Sequence, residues 1–95
     1  MNICLTAIIR VKPKYREDLK TVLKNMVQET QKEEACIQYD LHQGISDLNT
    51  FIFYEIWKDK TGLDIHNQQT YIKEFNQFIK EKVQEQPTIF ITQKV

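Results

Sequence analysis

The stretch Phe51-Ile52-Phe53-Tyr54-Glu55-Ile56-Trp57 decides how this chain folds. Six of its seven residues are apolar or aromatic, and side chains of that kind suit a pleated, buried surface, so the stretch reads as a strand. Side chains alternate across a strand. Phe51, Phe53, Glu55 and Trp57 therefore share one face, and Ile52, Tyr54 and Ile56 the other. Neither face suits water. The lone ionisable residue, Glu55, sits between Phe53 and Trp57, where a carboxylate needs a partner, a wet cleft or a chemical task.

Working outward, the rest of the chain supplies covers for these faces. Ile3 to Val11 alternates as a first strand, with Ile3, Leu5, Ala7, Ile9 and Val11 on its apolar side. Pro13 stops the pairing or opens a helix. From about Lys14 to Glu33 the period becomes helical, with Tyr15, Leu19, Val22, Leu23, Met26, Val27 and Thr30 on one stripe. Lys32-Glu33-Glu34 reads as a solvated cap at its end. Cys36 to Gln43 is a half-buried strand, with Ile37, Tyr39 and Leu41 on one side and Cys36, Gln38, Asp40 and His42 on the other. The turn residues from Gly44 to Asn49 join it to the opening strand as a hairpin. Asp59 suits a helix N-cap before a short helix carrying Leu63, Ile65 and His66. A second helix follows from about Gln69 to Gln84, striped by Tyr71, Ile72, Phe75, Phe78, Ile79 and Val83. Pro87 ends it, and Thr88 to Val95 reads as a last strand.

The order β-α-β-β-α-β is the split pattern of an α+β, ferredoxin-like sandwich. Ninety-five residues suit one domain, 1–95. Two main helices cover one face of such a sheet, leaving Ile52, Tyr54 and Ile56 on an apolar open face. A second copy, docked about a two-fold axis, is the expected cover.

Composition narrows the chemistry. Thirteen basic residues balance thirteen acidic ones, giving no electrostatic pull toward nucleic acid or an anionic membrane. No apolar run approaches the ~20 residues of a membrane span, and the start lacks the pattern of a signal peptide, so a cytoplasmic location is expected. The two glycines, Gly44 and Gly62, form neither a P-loop nor a dinucleotide turn. Cys4 and Cys36 show no metal or redox spacing and read as buried free thiols. The two histidines, His42 and His66, lie too far apart for a metal-ligand motif.

Cys36-Ile37-x-Tyr39-x-Leu41-His42, Phe51-x-Phe53-Tyr54-Glu55-x-Trp57, Leu63-Asp64-x-His66 and the later Phe75 together resemble the antibiotic biosynthesis monooxygenase (ABM) domain family. The resemblance covers essentially the whole chain, and the E-x-W followed by a helix-borne His is its most specific part. It implies a dimeric α/β barrel with a cavity between each sheet and its helices. It implies a monooxygenase that oxidises a quinol or polycyclic phenol with molecular oxygen, using no flavin, haem cofactor or metal. Relatives also include an isomerase of a phosphorylated autoinducer sugar and haem-degrading enzymes. Many members carry a second His five residues after the first, where this chain has Tyr71. The haem-degrading branch uses a first-strand Asn and a helix His, and those positions fall near Ala7 and Asn67 here.

Each candidate has two readings. Trp57 is ordinary core, or a cavity wall whose indole N–H can bond a ligand. Glu55 is satisfied by Arg10 or a lysine, or it is desolvated, titrates high and serves as a base. His66 is a solvated helix residue, or an acid or base at the cavity mouth opposite Trp57. Phe53, Tyr39, Tyr71 and Phe75 are core, or line a substrate pocket in which Tyr71 donates a hydrogen bond. The leading expectation is a cofactor-free monooxygenase with Glu55, His66 and Trp57 as catalytic residues. The alternatives are an isomerase of a small phosphorylated signalling metabolite and a non-catalytic small-molecule-binding dimer.

Overall fold

In the computed structural model, which describes residues 1–95, the quoted stretch is the core of strand β3 (Thr50–Trp57), held between two neighbours. β1 (Ile3–Arg10) and β2 (Cys36–Gln43) flank it, both antiparallel, and β4 (Thr88–Thr92) pairs with the outer side of β1. The order β2-β3-β1-β4 is that of the expected ferredoxin-like sandwich. Phe51, Phe53, Glu55 and Trp57 all point under the helices, and Trp57 is fully buried. Leu5, Ala7 and Ile9 join them from β1, and Val11 from just beyond its end.

Helix α1 (Arg16–Gln31) contributes Leu19, Leu23, Met26 and Thr30 to this core, following the expected stripe. It starts two residues later than its periodicity suggests, because Pro13–Tyr15 forms a separate 3-10 turn. Helix α2 (Lys60–Asn67) begins at Asp59, whose side chain accepts the Gly62 N–H at 2.8 Å, an N-cap of about 1 kcal/mol. Leu63 and His66 face inward, while Ile65 is exposed.

Helix α3 (Thr70–Ile79) stops five residues short of the expected end. Its continuation is diverted into pairing with the end of β1: Lys12 N–H bonds the Lys82 carbonyl at 2.8 Å, and Gln84 N–H bonds the Arg10 carbonyl at 2.7 Å. Val83 thus meets Val11 across a bridge instead of extending a helical stripe. The last strand likewise ends at Thr92 rather than Val95.

One strand expectation is corrected. The β2–β3 register shifts between Cys36 and Gln38, so Ile37 is the extra residue of a bulge. Ile37 turns outward and is half exposed, whereas Cys36 pairs with Trp57 and packs against the core beside Tyr39. Of the two free thiols, Cys4 is buried and Cys36 half-buried.

Candidate functional site

The site is built where β3 ends beneath α2. Residues two apart on a strand stand side by side, so Glu55 and Trp57 are neighbours by construction. The Trp57 indole N–H donates to Glu55 Oε1 at 2.9 Å. Across the sheet Glu55 faces Leu5 on β1 and Tyr39 on β2, so no cation stands opposite it. Arg10, a partner considered from the sequence, instead bonds Glu85 at 3.2 Å. Glu55 is 4% exposed, and its pKa is pushed from 4.5 up to about 7. Burial is the main cause; the Glu33 charge adds to it and the indole bond opposes it.

His66 comes from α2, whose first turn sits hard against Ala35, the residue before β2. A methyl on Gly62 would overlap that of Ala35, so this position accepts only glycine without displacement. One turn further on, the His66 ring lies 4.5 Å from the Trp57 ring, centroid to centroid, and 5.8 Å from Tyr39. It is as buried as Glu55, not a solvated helix residue. Burial holds its pKa below the ordinary 6.5, against the opposing pull of Glu33. At neutral pH the ring is therefore uncharged.

The partner of His66 is Glu33, whose carboxylate lies 2.7 Å from Nδ1. The Tyr71 hydroxyl donates to the same carboxylate oxygen, and Thr30 Oγ1 lies 2.9 Å from that hydroxyl. Burial and the Glu33 charge both raise the Tyr71 pKa, so the phenol keeps its proton. The expectation that Lys32-Glu33-Glu34 is a solvated cap is thus corrected at Glu33, whose side chain is only 11% exposed. A signal for it exists in the sequence: position 33 continues the Met26, Thr30 stripe of α1 by one more step.

Several polar atoms of the cluster stay open, two of them on the buried Glu55 and His66. Glu55 Oε2 and His66 Nε2 make no hydrogen bond within the chain, since the bonds of these side chains run through Oε1 and Nδ1. Yet no polar side-chain atom sealed from solvent lacks a partner. Both atoms therefore touch space that a water molecule can reach.

The expected pocket residues divide. Tyr71 and Phe75 line a cleft of about 310 Å³ between α1 and α3, with Val22, Met26 and Phe78 as further apolar walls and Glu29 and Glu74 at the sides. Tyr39 and Phe53 lie deeper, their rings tilted against each other with centroids 4.9 Å apart, and are almost fully buried. None of the five principal clefts is lined by Glu55, Trp57 or His66 themselves. Tyr71, on the wall of one cleft, reaches them through Glu33, which lines another of about 380 Å³ beside α2. His42 is exposed on β2, and no three His, Cys, Asp or Glu side chains converge to hold a metal ion.

The model of a family described as "Antibiotic biosynthesis monooxygenase" matches residues 2–77. The chain is 37% identical over 73 residues to "Putative monooxygenase YcnE" of Bacillus subtilis (strain 168), which spans 77% of each sequence. It superposes on the crystal structure of a conserved protein from Methanosarcina mazei Go1 with a TM-score of 0.93 and 29% identity, covering 100% of this chain and 94% of that one. PA3566 from Pseudomonas aeruginosa gives the same TM-score at 28% identity, covering 99% and 94%.

Proposed function

Because this chain belongs to the antibiotic biosynthesis monooxygenase family, we propose that it oxidises a phenolic aromatic, a quinol or polycyclic phenol, with molecular oxygen and no cofactor. One observation carries the reading. Glu55 is a buried carboxyl without a cation, titrating near neutrality, with one oxygen on the Trp57 indole and the other open. A group of that kind is suited to accept a proton at physiological pH.

The step needs little from the protein. Glu55 Oε2 takes the phenolic proton, with His66 Nε2 as the second open acceptor beside Trp57. The phenolate is electron-rich enough to reduce oxygen directly. With a phenol that has an unsubstituted ring carbon para or ortho to its oxygen, one oxygen atom enters there as the second carbonyl of a quinone. With a quinol it enters as the hydroxyl of a hydroxyquinone. In both cases the other leaves as water, carrying two hydrogens of the substrate. The substrate supplies the electrons; the protein orients the ring and removes the proton. The apolar cleft beside Tyr71 and Phe75 suits a flat, uncharged ring; Glu55 and His66 do not line it, and a passage from Tyr71 to their open atoms is part of the proposal. The cleft's acidic sides, Glu29 and Glu74, repel a phosphorylated metabolite and so weigh against the isomerase alternative.

A homodimer belongs to the same proposal. Cys4, Tyr54 and Ile56 line a cleft of about 590 Å³ on the open face of the sheet. β4 is exposed along its whole length, including Ile89, Phe90 and Ile91. An apolar surface of this kind fits a second copy.

The test is oxygen uptake with a panel of quinols and naphthols, comparing wild type with Glu55→Gln and His66→Ala. Uptake that falls in the Glu55 variant supports the reading. No uptake with any compound, or equal uptake in all three proteins, overturns it.

A further inference from the structure

We infer that Glu33 is a positioning residue: it holds His66 in the Nδ1–H form, which leaves Nε2 as the basic nitrogen of the site. Proton counting alone fixes this tautomer; its use in catalysis rests on the function proposed above.

A single oxygen of Glu33 meets both His66 Nδ1 and the Tyr71 hydroxyl. The Tyr71 proton points at Glu33, so the remaining neighbour, Thr30 Oγ1, must donate to the phenol oxygen rather than accept from it. The carboxylate oxygen is then an acceptor on every side. A bare Nδ1 lone pair at 2.7 Å would face it acceptor to acceptor, and only a protonated Nδ1 makes an attractive contact. In the uncharged ring the lone pair then resides on Nε2, the nitrogen that has no partner in the chain and touches open space.

The other groups around the ring cannot impose this choice. Tyr39 from β2, Trp57 from β3 and Tyr71 from α3 present ring faces or edges to it. The nearby charged group on β3, Glu55, is bonded to the indole N–H and not to the imidazole. Glu33 is the one group that bonds the ring, and it enters from the segment after α1. Without it nothing in the chain discriminates the two tautomers.

Nitrogen-15 NMR of labelled protein near pH 7.5 tests this directly, with exposed His42 as internal reference. In wild type, His66 should show a protonated Nδ1 and a lone-pair Nε2. Glu33→Gln keeps an oxygen acceptor and should keep that pattern. Glu33→Ala should move the ring to the Nε2–H form or a mixture, with a lower protonation midpoint. A wild-type His66 protonated at Nε2 overturns the inference even if no variant folds, as does a Glu33→Ala protein with the wild-type pattern. Where a phenolic substrate is turned over, Glu33→Ala should lower kcat by up to about 10²-fold, the scale expected for misplacing a catalytic group, with KM little changed. An unchanged kcat ends the catalytic role. Absence of turnover in wild type counts against the proposed reaction and leaves the tautomer result intact.

Discussion

Replacing Glu55 by Gln should make the protein more stable at alkaline pH. Glu55 titrates near 7 in the folded chain and near 4.5 when unfolded. Between these values the folded state holds a proton that the unfolded state has released, so stability falls as pH rises through this window. Below about pH 4 both states are protonated and Glu55 is close to its neutral isostere. Above about pH 8 both are ionised, and the full penalty applies. At about 1.4 kcal/mol per pH unit the gap corresponds to roughly 3 kcal/mol. Urea unfolding followed by far-UV circular dichroism, at fixed protein concentration, measures it. Wild type and Glu55→Gln should agree near pH 4 and diverge to about 3 kcal/mol in favour of the variant by pH 8. Taking the difference cancels His66, whose lowered pKa acts in the opposite sense, removing stability as pH falls below its ordinary 6.5. Trp57, the only tryptophan, gives a second readout, because its indole bonds the titrating group. Its emission should show a step near pH 7 in wild type that the variant lacks, while a step at lower pH from the adjoining His66 ring is common to both. Parallel stability curves, or a wild-type emission with no step near pH 7, would refute the account of a desolvated carboxyl.

Other substitutions probe the supports of the site. Trp57→Phe removes the indole donor that stabilises ionised Glu55, so the Glu55 midpoint, read by carbon-13 NMR of its carboxyl, should climb above 7; a midpoint that stays or drops contradicts the bond's role. Gly62→Ala drives a methyl into Ala35, and the overlap should outweigh the roughly 1 kcal/mol gained in helix propensity. Thermal unfolding should therefore show net destabilisation, relieved by a second change, Ala35→Gly. Ile56→Lys places a charge on the open sheet face, opposite Cys4. Light scattering should show the wild-type mass halved, while circular dichroism stays unchanged; a monomeric wild type would remove the case for a twin subunit.

The two periodicities were legible because they are local. Alternation in Ile3 to Val11 and Phe51 to Trp57, and the 3.6-residue stripe from Leu19 to Thr30, each report which side of an element avoids water. With the turns between them they define a β-α-β-β-α-β chain. The pairing of Glu55 with Trp57 was also implicit, since i and i+2 share a strand face. Ile37 escaped this logic because a bulge depends on how two strands register, not on the residues of one. The end of α3 escaped it because Lys82 to Gln84 find better partners in β1 than in the next helical turn.

Glu33 marks the divide most clearly. By itself the sequence determines that this residue is charged, follows a helix and continues its buried stripe; by base rates that describes a solvated end. Only the tertiary structure decides that α2 and α3 bring His66 and Tyr71 to the same carboxylate oxygen. The reason is physical: burial hides a polar group's cost until its partners, 33 and 38 residues away in the chain, arrive to offset it.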